Sequence, residues 1–325
     1  MPIVVNSNAS ATQASFNLSR ANDSLRKSLA RLSSGNRINS PADDAGGLAV
    51  AYKLNSKLNR TEAVIQNSQN ALSYLQVQDA SLQTVGKVLD RMAELRTMAA
   101  DITKNSGDIE NYTKEFVELQ SQLNQINRET FNGISLFSQS ASAAVTGELD
   151  KGTSSYLDAS GNSVTVTTFS RQLITHPDGQ ATDGSISLNV VNLQFVLSIG
   201  ALAANGDAAG GYDLANIDGA NNATGTTGGF INSILNVSVG QFTQAIEKLA
   251  DARAENGAEQ NRIMNSIDLL QTNMTNLEAA HGRIMDADIA LESTRFARHN
   301  VLVQASAAMT AQANQLTNVA LQLLG

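Results

Sequence analysis

Apolar residues recur three and four positions apart over long stretches on both sides of the chain, with polar residues between them. The three clearest stripes are Leu82, Val85, Leu89, Met92, Ala99 and Ile102; Ile109, Tyr112, Phe116, Leu119, Leu123 and Ile126; and Ile263, Ile267, Leu270, Met274, Leu277, His281 and Ile284. A narrow stripe at heptad spacing is typical of helices that pack as coiled coils. The sequence therefore predicts long packed helices around a middle of different character.

The two ends of the chain carry stripes of the same kind. Their members at seven-residue spacing are Leu18, Leu25 and Leu32 near the start, and Leu302, Met309, Leu316 and Leu323 near the end. A single apolar helix is only marginally stable in water, because most helical stability comes from tertiary packing. Each terminal stripe therefore needs a partner, which is either the other terminus or a second copy of the chain.

Between the first helix and the next lies a short segment with stop and start signals. Gly35 can end a helix in the left-handed conformation. Ser40, Pro41 and Asp43 have the spacing of a capping box, with proline at the first helical position. We expect a new helix to begin near Asp43 and to run to about Lys104.

The middle of the chain has a different pattern. Residues 163–175 and 186–197 are rich in strand-forming residues. In the second of these segments the alternation slips by one position after Val190, which indicates a bulge or two short strands. Residues 200–229 are rich in Gly, Ala, Asn, Asp and Thr, which favours loop. A β-rich insert therefore interrupts the helical body.

Composition narrows the classes of function. The chain has no cysteine, so disulfides, thiolate metal sites and cysteine nucleophiles are excluded. The net charge is −8, and residues 141–230 hold eight acidic and two basic residues, so the middle is acidic and nothing suggests nucleic-acid binding. The sequence contains no run of about 18 apolar residues, so it does not predict a membrane-spanning helix. The start of the chain lacks the charge and apolar pattern of a cleavable signal peptide.

Two groups of polar residues have side chains that could form a site. Asp286, Asp288 and Glu292 could ligate a metal, but helix capping explains them better. Residues 176–179, His-Pro-Asp-Gly, could suggest catalysis, but they form a turn signature without an evident base or nucleophile. We therefore predict no catalytic residue, no metal site and no cofactor.

Several short motifs lie at definite places in the two helical parts. They are Arg31-Leu32-Ser33-Ser34-Gly35, Arg37-Ile38-Asn39-Ser40, Asp43-Asp44-Ala45, Glu129-Thr130-Phe131-Asn132-Gly133, Asp286-Ala287-Asp288-Ile289-Ala290 and Gln312-Ala313-Asn314-Gln315. In this order they resemble the N- and C-terminal signatures of bacterial flagellins. The likeness covers residues 1–140 and 232–325 and does not extend to the middle.

The resemblance implies a mainly α fold, a hairpin whose long coiled-coil core comes from both ends of the chain. Its implied domains are an inner terminal coiled coil (1–43 with 286–325), a helical core (44–140 with 230–285) and a surface-exposed β-rich insert (141–229). The function implied is that of a structural subunit, exported through the flagellar type III apparatus, that polymerises into the extracellular filament for swimming. The seven terminal residues named above would then be polymerisation contacts, unpaired in the monomer and buried on assembly.

The resemblance also implies partners. These are other copies of the chain, the flagellin chaperone, and the hook-associated junction and cap proteins. In flagellins that bind the innate immune Toll-like receptor five, an Arg, a Leu four residues later and a Glu on the next helix are presented. Arg91, Leu95 and Glu118 match those positions, on a surface that would also contact the next subunit.

Two alternatives of other kinds stay open on the sequence. A hook–filament junction protein shares the helical ends, but the density of motifs favours the filament subunit. A flagellin-like surface protein could bind a ligand through the insert, although that insert offers few aromatic residues. An enzyme is the least favoured class.

Overall fold

The structure is a computed structural model that describes residues 8–138, 150–157, 163–179, 184–199, 212–214, 226–227, 230–231 and 233–324. Its helices are α1 (Ala9–Ser34), α2 (Ala45–Ala99), α3 (Ser106–Asn127), α4 (Leu193–Leu197), α5 (Val239–Met285) and α6 (Ile289–Leu324), with a 3₁₀ turn at Ile234–Asn236. Its strands are β1 (Thr130–Phe131), β2 (Ile134–Ser135), β3 (Asp150–Leu157), β4 (Ser163–Ile174), β5 (Ser185–Val190), β6 (Ser198–Ile199), β7 (Tyr212–Asp213), β8 (Thr226–Thr227) and β9 (Phe230–Ile231). The predicted mainly α fold with small sheets in the middle is confirmed.

The chain divides into two compact units, residues 1–59 with 273–325 and residues 60–272. The predicted division differs from this one, because it puts the boundary of the terminal domain near residues 43 and 286. It also predicts a third domain at residues 141–229. Much of that third domain lies outside the described residues, so the three-part division stays a prediction.

The first unit is built on the antiparallel pair α1 and α6. The Asn8 side-chain amide donates to the carbonyl oxygen of Ala313 at 2.8 Å. At the other end of the pair, the N–H of Ala287 donates to the carbonyl oxygen of Gly35 at 2.8 Å. Gly35 has φ of +72° and its N–H bonds Arg31, so the predicted left-handed helix stop is confirmed.

The start of α2 differs from the prediction by two residues. α2 begins at Ala45, and the Asp44 carboxylate accepts the N–H of Gly47 at 2.8 Å. Ser40 accepts a turn hydrogen bond from the N–H of Asp43, so the predicted capping box at Ser40 is wrong. The aspartate nearest the helix is the better cap because its carboxylate reaches the third helical N–H.

The second unit has its core between α2, α3 and α5. The apolar stripes predicted for these helices are buried in part, and their fully buried members are Leu82, Val85, Leu89, Met92, Phe116, Leu123 and Ile263. Phe116 of α3 meets Phe242 of α5 edge to face, with ring centroids 6.2 Å apart. Gly86 of α2 makes room for the side chain of Leu249 of α5, since a Cβ at this position would lie 3.2 Å from a methyl carbon of that leucine.

α2 ends five residues before the predicted end near Lys104. Ile102, the last member of the predicted stripe, is 99% exposed in the connecting turn. The next helix competes for these residues, because Asn105 and Asp108 form a reciprocal capping box that starts α3.

The Asn132-Gly133 pair forms the predicted tight turn between β1 and β2. Both residues have positive φ, 51° and 77°, as a two-residue type I′ hairpin requires. The hairpin is held to α2, where the Tyr74 hydroxyl donates to the carbonyl oxygen of Ser135 at 3.0 Å.

The middle contains an antiparallel sheet in the order β3-β4-β5. The predicted strands over 163–175 and 186–190 are confirmed as β4 and β5. The predicted strand character of 191–197 is wrong, because residues 193–197 form the short helix α4, whose start is capped by the Asn192 side chain on the N–H of Phe195 at 3.1 Å. Most of the predicted loop 200–229 lies outside the described residues.

Candidate assembly interface of the terminal helices

One face of α6 packs against α1. Its side chains are buried or half-buried at heptad spacing and are Glu292, Phe296, His299, Val303, Ser306, Thr310 and Ala313. The facing residues of α1 are Ala14, Leu18, Ala21, Leu25, Ser28 and Leu32. We call this contact the inner seam. Small residues on both sides let the two backbones lie close together.

The inner seam contains a buried carboxylate. Glu292 is 4% exposed and accepts a hydrogen bond from Arg295 at 3.3 Å. Burial raises its pKa, but hydrogen bonds from Ser28 and Arg295 and the charges of Arg31 and Arg295 outweigh burial and leave the pKa of Glu292 below its ordinary value. Arg31 stands 4.0 Å from the same carboxylate oxygen. The seam is therefore held by charge as well as by apolar packing.

A second face of α6 carries large apolar side chains that are exposed. Leu291, Leu302 and Met309 are 49%, 46% and 65% exposed. They lie on one side of the helix because spacings of eleven and seven residues are close to whole numbers of turns. We call these three residues the outer stripe. It is more apolar than the inner seam beside it, which contains Glu, His, Ser and Thr.

The predicted polymerisation residues fall into three groups. Leu18, Leu25 and Leu32 are half-buried in the inner seam, whereas Leu302 and Met309 belong to the outer stripe. The side chains of Leu316 and Leu323 lie outside the described part of the chain. The expectation that both termini are unpaired in the monomer is wrong, because α1 and α6 pair within one chain. Sequence reasoning missed the α6 side of that seam because its residues are largely polar.

The Arg37 side chain joins the segment after α1 to the end of α5. Arg37 donates from Nε and Nη2 to the carbonyl oxygen of Ile284, at 3.1 and 2.8 Å. Asp288 accepts the N–H groups of Ala290 and Leu291 at 3.0 Å each, so its predicted capping role is confirmed. Among the residues that the structure describes, no cluster of three or more carboxylate or histidine side chains could hold a metal ion.

Lys27 of α1 forms an ion pair with Asp43 in the segment before α2. The hydrogen bond from Lys27 lowers the pKa of Asp43 and, with backbone hydrogen bonds, outweighs the opposing effect of burial. Asp43 therefore helps to hold this segment against α1 rather than capping α2.

The predicted receptor-contact residues lie in the second unit and are not equally accessible. Arg91 is exposed and pairs with Glu94 at 2.7 Å and Glu115 at 2.8 Å. Glu118 is exposed one turn beyond Glu115 on α3. Leu95 is 0% exposed, so the prediction that its side chain contacts a receptor or a neighbouring subunit is wrong for this conformation. Its position on the buried stripe of α2 is the physical reason.

A row of polar residues on α5, absent from the sequence-based predictions, holds the middle segment. Lys248 donates to the carbonyl oxygen of Ser198 at 2.9 Å and lies 4.9 Å from the ring centre of Phe195. Glu259 accepts the N–H of Asn189 at 2.8 Å. Burial lowers the pKa of Lys248 to about 8 and raises the pKa of Glu259 to about 7. Lys248 and Glu259 are eleven residues apart on α5, and nothing in the neighbouring sequence indicates which segment packs over them.

Residues 176–179 form a turn, as predicted. The N–H of Gly179 donates to the carbonyl oxygen of His176 at 3.1 Å, and Gly179 has φ of +69°. Asp178 lies 3.6 Å from Arg60 of α2, so the turn is tied to that helix by an ion pair.

No helix in the described ranges has the length and apolar character needed to cross a lipid bilayer.

Comparison with known proteins yields matches at both ends of the chain. The family model for the bacterial flagellin N-terminal helical region matches residues 5–142, and that for the bacterial flagellin C-terminal helical region matches residues 239–324. Flagellin of Bacillus subtilis is 31% identical, covering 98% of this chain and 99% of its own. Flagellin FlaB2 of Treponema pallidum is 31% identical, covering 99% and 100%. A crystal structure of Bacillus cereus flagellin is 24% identical, covering 66% of this chain and 94% of that one, with a TM-score of 0.37.

Proposed function

The chain belongs to the bacterial flagellin family, and we propose that its outer stripe is the surface through which one copy joins the next in the flagellar filament. As a flagellin, the protein is a structural subunit of that filament. Nothing in the described residues favours a junction protein or a surface binding protein.

The observation that supports the outer stripe is the exposure of its three large apolar side chains along one side of α6. Fully burying a Leu or Met side chain contributes about 1.5–3 kcal/mol, so a half-exposed one gains about 1 kcal/mol when a neighbour covers it. Leu316 and Leu323 continue the spacing of Leu302 and Met309, and we include them in the proposed surface. Head-to-tail contacts between different surfaces that do not close a ring produce an open helical polymer.

The α1 leucines have a separate role in this proposal. Leu18, Leu25 and Leu32 pack in the inner seam and hold α1 against α6. They would therefore act on assembly indirectly, by keeping α6 folded while its outer stripe meets a second copy. In this proposal the seven predicted polymerisation residues are therefore not equivalent, because those of α1 stabilise the helix pair and those of α6 contact the second copy.

The test is seeded growth on sheared filament fragments, followed by light scattering and electron microscopy. Leu302→Asp places a charge in the outer stripe, and Gln304→Asp places the same charge about 200° around the helix. We expect Leu302→Asp to stop elongation and Gln304→Asp to elongate like the wild type, with both keeping their helical circular dichroism. Normal elongation of Leu302→Asp would refute the role of the outer stripe.

The resemblance supports finer proposals about setting. We propose that the protein is exported from the cell and that it has no catalytic function of its own. We also propose that its partners are the flagellin chaperone and the hook-associated junction and cap proteins. Labelling intact cells with an antibody against the chain should decorate external filaments. Chain retained inside cells with an intact export apparatus would contradict this.

We also propose that monomers are recognised by Toll-like receptor five through Arg91 and Glu118, with Leu95 acting only as buried support. The exposure of both charged residues on adjoining helices supports this surface. In a receptor reporter assay, Arg91→Ala should lower signalling. Lys114→Ala, a change of an exposed charge on α3, the helix of Glu118, should not. Unchanged signalling by Arg91→Ala would remove the proposal.

A further inference from the structure

The methionines of the described chain differ widely in exposure. Met92 is fully buried in the second unit, whereas Met309 is 65% exposed and Met264 is 50% exposed. The remaining described methionines, Met98, Met274 and Met285, are half-buried. Methionine oxidation follows access to the sulfur, so Met309 is the most accessible to an oxidant among the methionines that the structure describes.

Met309 also occupies a position where its polarity matters. It lies in the outer stripe seven residues from Leu302, and the neighbours one turn away on that side are Ala305 and Gln312. A small alanine leaves the thioether uncovered in the monomer. Met264 has no such place, because it lies on α5 in the second unit.

We propose that Met309 is a reversible oxidation site, at which a peroxide converts the thioether to a sulfoxide and so prevents the chain from joining a filament. This inference rests on the proposed role of the outer stripe in assembly. A sulfur lone pair attacks one oxygen of hydrogen peroxide, the O–O bond breaks, and proton transfer releases water. The sulfur loses two electrons and the peroxide gains them, so one thioether and one peroxide give one sulfoxide and one water.

The sulfoxide blocks assembly because its S–O group is polar and accepts hydrogen bonds from water. Covering the outer stripe with a second copy would strip that water away, and burying a polar group without a partner is unfavourable. We expect elongation to slow about tenfold or more. Chains already in a filament should be protected, since the same contact that excludes water excludes peroxide.

The experiment treats the full-length monomer with hydrogen peroxide, removes the peroxide with catalase, and measures seeded elongation. Peptide mass spectrometry records oxidation at each methionine. Met309→Leu and Met264→Leu are each compared with their own untreated sample. We expect Met309 to oxidise several-fold faster than Met92, and treatment to slow the wild type and Met264→Leu but not Met309→Leu.

Repair supplies a second readout. The two methionine sulfoxide reductases, one for each sulfoxide epimer, should restore elongation of the treated wild type. The inference is overturned if fully oxidised Met309 leaves elongation unchanged, or if treated Met309→Leu slows as much as the wild type. If Leu302→Asp stops elongation but peroxide treatment does not slow the wild type, the oxidation inference is refuted and the assembly proposal stands. Normal elongation of Leu302→Asp would refute the assembly proposal on which it rests.

Discussion

Replacing Glu259 by glutamine should remove a pH dependence from the packing of β5 on α5. One carboxylate oxygen accepts the N–H of Asn189 at 2.8 Å. The other is buried and has no hydrogen-bond partner among the described residues. Burial raises the pKa of Glu259 from 4.5 to about 7, and the charge of Glu255 adds to this rise. The folded structure therefore favours the protonated carboxyl.

Because the pKa is raised in the folded state, the packing of β5 on α5 becomes weaker as the pH rises. Below pH 4.5 the carboxyl is protonated in both the packed and the open state, so it costs nothing. As the pH rises from 4.5 through about 7, the open state ionises first and packing weakens. The slope is at most about 1.36 kcal/mol per pH unit, which integrates to about 3.4 kcal/mol. Because the carboxyl keeps some contact with water, screening reduces this to about 1–2 kcal/mol.

Hydrogen exchange measured by mass spectrometry can report this local packing. The quantity is the protection of peptides that cover β5, at pH 5, 6, 7 and 8, in the wild type and in Glu259→Gln. Comparing the two proteins at each pH cancels the intrinsic effect of pH on exchange. Glutamine can still accept the N–H of Asn189, so we expect the two proteins to be similar at pH 5. The variant should become about five- to thirtyfold better protected by pH 8.

Glu247→Gln serves as the matched control, because Glu247 is an exposed residue of the same helix. It should leave the pH profile of β5 unchanged. A Glu259→Gln variant that keeps the full loss of protection between pH 5 and 8 would refute the assignment of the effect to this carboxyl. Lys248 does not confuse the test, because its folded pKa of about 8 places its own effect mainly at higher pH.

Three further outcomes are expected. Gly47→Ala should be about 1–2 kcal/mol less stable in thermal unfolding than Gly46→Ala, since a Cβ at 47 would lie 2.8 Å from the Asp44 carboxylate carbon that caps α2 while one at 46 has ordinary contacts; equal stabilities would contradict this. Glu292→Ala should lower the free energy of unfolding of the terminal helix pair by about 1–3 kcal/mol, because Arg31 would lose its carboxylate partner while its side chain is only 19% exposed; a neutral result by circular dichroism melting would show that the seam does not depend on this charge. Removing residues 302–325 should abolish seeded filaments while the rest stays helical, and filaments from the truncated chain would contradict the proposed function.

Much of the local structure could be predicted from the sequence because its causes are local. Heptad spacing predicted the buried stripes of α2, α3 and α5, since a helix repeats its face every 3.6 residues whatever it packs against. Asn132-Gly133 predicted a hairpin because few other pairs adopt positive φ at both positions. Gly35 predicted the end of α1 for the same steric reason.

Competition between neighbouring signals limited the prediction of element boundaries. Asp43 and Asp44 both suit a cap, and only the folded chain shows that Asp43 pairs with Lys27 while Asp44 caps α2. Residues 193–197 alternate like a strand, yet Lys248 binds carbonyl oxygens at the end of a short helix there. That lysine lies about fifty positions further along the chain, so no local pattern could reveal it.

Sequence alone determined that both ends of the chain would be apolar-striped helices and that they would need partners. Only the tertiary structure decided which partner each stripe has. α1 meets α6 through a seam that contains Glu292, Ser306 and Thr310, while the more apolar Leu302 and Met309 stay exposed. The physical reason is that pairing depends on the close approach that small residues permit and on charges brought together across some 260 residues of chain. Heptad spacing indicates neither how closely two helices approach nor which charges pair across the chain.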